Sequence, residues 1–176
     1  MSFAIINHRR RIVRICKDVI AQVNAQMIRA NVGLEIRLNM DFHTKKELAP
    51  RFSAQEYFKN KPCDVCARGA MAIAFIRRHN SVRIGLIKQS DISRIDSISN
   101  FFSQELLDCM EAAFEARTYD WHLVRSNSRN FINFFYAYEE DKIHHPEKWN
   151  DCLIAIMNNI IENKGQFVFN GVKAGK

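Results

Sequence analysis

The chain has 176 residues, 47% of them hydrophobic, which suits one domain with a real core and leaves no room for several. Thirteen Phe against six Gly and three Pro argue against disorder and against a loop-rich β-protein, and no apolar run approaches the roughly 18 residues of a membrane span. The net charge of +7 is lopsided: residues 1–52 hold ten Lys/Arg against four Asp/Glu, whereas 53–176 hold sixteen against fifteen.

Five Cys, an odd number without regular spacing, fit a reducing compartment better than a disulfide framework. The start, MSFAIINHRRR, places an apolar patch before its charges, the reverse of a secretory signal. A cytoplasmic location, with no membrane partner, is the expectation.

The first predicted helix runs from a cap at Asn7 to about Ala30, because Ile12, Ile15, Cys16, Val19, Ile20, Val23, Met27 and Ile28 recur at spacings of three and four. Arg9, Arg10, Arg11 and Arg14 crowd its first turns, where cations oppose the helix macrodipole. Beyond Asn31 and Gly33, residues 34–42 alternate apolar and polar with a strict period of two, which predicts a strand. Its candidate partners are 82–87 and the QFVF of 166–169.

Ser53 is placed to cap a short helix through Lys59. The segment KPCDVCARGAMAIAFIRRHN, residues 61–80, predicts the central helix, over about 62–79. Pro62 suits a first helical turn, and Ala67, Ala70, Met71, Ala72 and Ala74 favour helix. Apolar residues cover more than one narrow stripe of it, as burial on several sides requires. Residues 88–102 are polar and predict a long loop or a weak helix.

Ser103 caps a helix from Gln104 to about Arg117, with Leu106, Leu107, Met110, Ala113 and Phe114 inward and Glu105, Asp108, Glu111 and Glu115 mostly outward. An aromatic segment, 127–138, predicts a further helix. Pro146 opens the last helix, to Asn163, with Trp149, Leu153, Ile156, Met157, Ile160 and Ile161 inward and Gly165 as terminator. Residues 170–176 form a loose tail. The expectation is one α+β domain over 1–176, predominantly helical, with the 62–79 helix surrounded by helices and a small sheet of two or three strands.

Three constellations carry candidate chemistry. Cys63 and Cys66 make a C-x-x-C, which serves as half a zinc site or in thiol exchange. A structural zinc site needs four ligands, and no second close pair exists; His144, His145, Cys109 and Cys152 would have to join through tertiary structure. No metal or cofactor is therefore expected. A redox pair would sit after a strand, and the preceding residues read as helical. Cys63 near a helix start would have a nucleophilic thiolate, but it would need a base such as His122, oriented by Asp120, or His144. Arg10, Arg14 and Lys17 share one helix face and, with Arg11, fit phosphates in a salt-sensitive, sequence-independent way. No recognised nucleic-acid module accompanies them.

At Cys66-Ala67-Arg68-Gly69-Ala70, followed by Asn80, the amphipathic 104–117 helix and Trp149-Asn150-Asp151, the chain resembles small uncharacterised bacterial and phage proteins. Those carry a Cys-Ala-x-Gly-Ala helix and a later Trp-Asn-Asp before a final helix. The similarity spans about 63–163; the aromatic segment and the basic first helix depart from it. It implies a compact α-rich domain in a prokaryotic or phage setting. With no complete catalytic constellation, the leading expectation is a non-enzymatic binding protein. Its partner would be a protein, as for a phage or mobile-element accessory or an inhibitor of a host protein. Nucleic-acid binding through the first helix is the alternative, and a cysteine- or metal-dependent enzyme centred on Cys63 and Cys66 the third reading.

Overall fold

The computed structural model describes residues 3–31, 53–82, 95–115 and 148–168. In chain order these hold α1 (Phe3–Asn24), β1 (Ile28–Ala30), α2 (Ala54–Phe58), β2 (Cys63–Val65), α3 (Ala67–Arg78), α4 (Asp96–Ser99), α5 (Gln104–Glu115) and α6 (Lys148–Glu162). The architecture is α+β and mostly helical, with one two-stranded sheet, as expected. The predicted strand 34–42, residues 83–87 of its candidate partner, and the predicted helix 127–138 lie outside the described residues.

α3 is the centre. Every residue from Ala67 to Ile76 except Arg68 is buried, because α1, α2 and α5 pack around it. Burial on all sides selects small and apolar side chains on every face. Its start differs from the sequence expectation. Pro62 does not open the helix; Cys63–Val65 is a strand, and Cys66 is the N-cap, its sulfur accepting from the Gly69 N–H at 3.5 Å. Cys, Asp and Val are poor helix formers, and pairing with β1 holds them in a strand.

α1 begins at Phe3 rather than Asn7 and ends at Asn24 rather than near Ala30. The earlier start puts Arg9 to Arg11 beyond the first turn, where the macrodipole penalty has faded. The end is a Schellman motif: the Gln26 N–H bonds to the Val23 carbonyl at 2.9 Å and the Met27 N–H to the Gln22 carbonyl at 2.8 Å. Gln26 takes the left-handed conformation, φ 57°. Ile28 is buried as expected, but from a strand.

β1 and β2 run parallel, in register Ile28–Cys63, Arg29–Asp64 and Ala30–Val65. A parallel pair needs a long crossover, and α2 lies within it. Arg29 and Asp64 face each other across the pair at 2.7 Å. The outer side of β1 is closed by a side chain: Asn150 Oδ1 accepts from the Ala30 N–H at 2.8 Å. The middle residue of Trp149-Asn150-Asp151 thus ties α6 to the sheet. Val82 is buried, and its carbonyl accepts from the Ala54 N–H at 3.0 Å.

Gln166 to Val168 form no strand. Instead the Asn159 amide acts as a false strand partner, donating to the Val168 carbonyl at 2.8 Å and accepting from its N–H at 2.9 Å. α6 also ends in a Schellman motif, with Lys164 left-handed at φ 55° and the Gly165 N–H bonded to the Ile160 carbonyl at 2.8 Å. Gly165 lies against the backbone of α1: a Cβ there would stand 2.7 Å from the Arg9 carbonyl oxygen, and its φ is +91°. α6 is thereby fastened to the basic helix.

Candidate functional site

Two groups of residues compete for the role of functional site: the thiols where β2 meets α3, and the outer face of α1.

At the first, Cys63 is 2% exposed and Cys66 fully buried. Cys63 lies on a strand, so the helix-terminus argument for its reactivity does not hold; that position belongs to Cys66. Burial pushes the Cys63 thiol up in pKa, Asp64 adds to this, and Arg77, Lys61 and Arg29 oppose it without reversing it. A protonated thiol is neither a nucleophile nor a metal ligand. The element before the pair is a helix, α2, as the sequence reading has it, and Cys63 itself opens β2; both sulfurs have structural occupations. Cys63 donates to the Lys61 carbonyl at 3.4 Å, and the Cys66 thiol lies 3.8 Å from Glu111 Oε1.

The charges around the thiols are spent inside the fold. Arg77 donates from Nε to the Phe58 carbonyl at 3.1 Å and from Nη2 to the Lys61 and Met27 carbonyls at 2.6 and 3.3 Å. Its Nη1 reaches Gln22 Oε1, and Nη2 lies 3.8 Å from the Cys63 sulfur. One guanidinium therefore closes the ends of α1 and α2 and the approach to β2. Arg68, 12% exposed, pairs with Asp108 at 2.8 Å and with Glu111. Part of the acidic face of α5 thus serves as a counter-charge for α3, where the sequence pattern suggested solvent. Neither arginine was singled out from the sequence. The available signal was charge at the two ends of an otherwise apolar helix.

The remaining thiols are buried or, for Cys109, half-buried. Burial pushes Cys16 up to about 12, and its thiol points at Met71 Sδ, 3.9 Å away. Cys109 is pushed up to about 11 by burial, then by Glu105 and Asp108. Cys152 is buried on α6. All five cysteines are free. Among the described residues no three His, Cys, Asp or Glu side chains gather as metal ligands. Asp120, His122, His144 and His145 lie outside the described residues.

The second group has the opposite character. Ile12, Ile15, Cys16, Val19 and Val23 bury one face of α1 against α3 and α6. The helical period then turns Arg10, Arg14 and Lys17 outward, and all three are exposed, as is Arg11. None of the four has an ion-pair partner among the described residues. Asp18, the acid that α1 carries, is taken by Arg78, which holds both its oxygens at 2.5 and 2.7 Å. From Arg10 to Lys17 the row spans about 10 Å along the axis, at 1.5 Å per residue. The structure thus presents together the residues the sequence pattern grouped, on a helix fixed rigidly from behind.

Comparison with protein-family models, with curated proteins and with solved structures found no match. No helix among the described residues is long and apolar enough to cross a membrane.

Proposed function

We propose that this protein is a non-enzymatic binding protein whose ligand is nucleic acid, held by its phosphates along the outer face of α1. The observation that carries this reading is the row Arg10, Arg14 and Lys17, exposed and without a carboxylate partner among the described residues. Elsewhere among the described residues the fold consumes its arginines: Arg29, Arg68 and Arg78 each have an acid, and Arg77 a set of carbonyls. Three unpaired cations on one rigid face raise the local positive potential and steer a polyanion to it. Such contacts position a backbone and read no bases. In a phage or mobile-element setting, an accessory protein that rides on nucleic acid has a use for that property.

The test is fluorescence anisotropy with a labelled oligonucleotide of about 16 nucleotides, single-stranded and duplex. Three phosphate contacts weaken binding roughly 20- to 40-fold between about 50 and about 200 mM salt. The double substitution Arg10→Ala with Arg14→Ala lowers the affinity at low salt without changing the helix content. An affinity that ignores ionic strength, or survives the double substitution, rules the reading out.

A further inference from the structure

The basic surface of α1 continues onto a cluster that only tertiary packing assembles. The guanidinium carbon of Arg11 lies 4.7 Å from the centroid of the Phe101 ring. The imidazole of His8 is 5.4 Å from the same centroid, tilted by 57°, and that of His79 is 6.0 Å away, tilted by 46°. Phe101 is buried, Arg11 is exposed, and both histidines are half-buried. The ring is thus a floor, and three nitrogen-bearing groups from α1 and the end of α3 form a rim around it.

We infer that Arg11, His8 and His79 form a second anion subsite, which takes a further phosphate group of the polyanion held by Arg10, Arg14 and Lys17, and that His79 gains a proton when the subsite fills. This rests on the nucleic-acid reading above. Among the described residues, the charged groups facing His79 are Arg11 and Asp18 from α1 and Arg78 from its own helix; the segment after α4 contributes the Phe101 ring. Asp18 is committed to Arg78, so among the described residues the rim has cations to spare and no free carboxylate to compete with an arriving anion.

The direction of the pH effect follows. In the free protein, burial first and then Arg11 and Arg78 hold His79 below the ordinary imidazole value, with Asp18 opposing. The imidazole is therefore neutral at pH 7. A phosphate placed on the rim adds negative charge, raises that value and draws a proton from solvent. Binding coupled to proton uptake tightens as pH falls, by at most about tenfold per pH unit for one titrating group.

The experiment measures oligonucleotide affinity at about pH 7.5 and about pH 5.5, within the range where histidine titrates. The wild type binds several-fold more tightly at the lower pH, whereas His79→Gln still binds but loses that gain. In parallel, the ring proton signals of His79 in the wild type are followed by NMR with and without inorganic phosphate, which does not depend on a variant folding. The added phosphate moves the midpoint upward. Oligonucleotide binding without pH dependence, or a dependence kept in His79→Gln, overturns this inference and leaves the α1 reading standing. No oligonucleotide binding at any pH or salt, together with a His79 midpoint that phosphate does not move, overturns both. A phosphate response of His79 without oligonucleotide binding supports the subsite but assigns it to free phosphate.

Discussion

Arg68 and Arg77 on α3 and Arg10 and Arg14 on α1 are the same residue type on neighbouring helices, yet their surroundings are opposite. The α3 pair is drawn into the fold: Arg68 meets Asp108 and Glu111, and Arg77 meets three carbonyls and Gln22. The α1 pair faces outward with no acid among the described residues. A charge surrounded by its own chain's acceptors is structural, and removing it should cost stability. A charge left for solvent is free to bind, and removing it should cost binding. Each substitution below moves one of these two quantities and spares the other.

The largest effect belongs to Arg77→Ala. It removes the bonds to the Phe58, Lys61 and Met27 carbonyls and to Gln22 at once, and a hydrogen bond from a charged group contributes about 1.5–3 kcal/mol. A loss of about 3 kcal/mol or more in urea unfolding is expected; a loss below about 1 kcal/mol would mean that water replaces the guanidinium and that the contrast is overdrawn. Next is Gly165→Ala. A left-handed residue in the wrong φ region costs about 1–3 kcal/mol, and its Cβ would also meet the Arg9 carbonyl. A melting temperature equal to wild type would contradict the close approach of α6 to α1.

Smaller again is the alkaline response of Cys16. Its folded value is raised to about 12, above that of an unfolded thiol. Its contribution to stability is full below the unfolded value and is lost as pH rises above it toward the folded one. Above about pH 9 stability should fall by up to about 1.4 kcal/mol per pH unit from this thiol, and Cys16→Ala should flatten the slope. The smallest effect on stability is that of Arg10→Ala with Arg14→Ala, within about 0.5 kcal/mol as for ordinary surface positions, while binding falls.

Where function and fold lean on local pattern, the sequence was readable. Ser103 caps α5, with the Leu106 N–H bonded to its Oγ at 3.2 Å. The inward residues of α6 and the centrality of α3 follow from spacing alone, and so does the row Arg10, Arg14 and Lys17. What escaped depends on distant partners. β1 and β2 have three residues each, too short to show a period, and they pair across a crossover. Gln26 ends α1 without the glycine that usually marks such an end. Arg68 finds its acids forty and more residues away, and Phe101 gathers His8, Arg11 and His79 only through tertiary packing.

The division between structural and binding arginines stands or falls on one comparison: the slope of log affinity against log salt for the wild type and for Arg10→Ala with Arg14→Ala and Lys17→Ala. For single-stranded nucleic acid the wild type should give about −2 or steeper, and the triple variant should be shallower by about 2 with its unfolding curve unchanged. Equal slopes in the two proteins would contradict it, because the phosphates would then be held elsewhere.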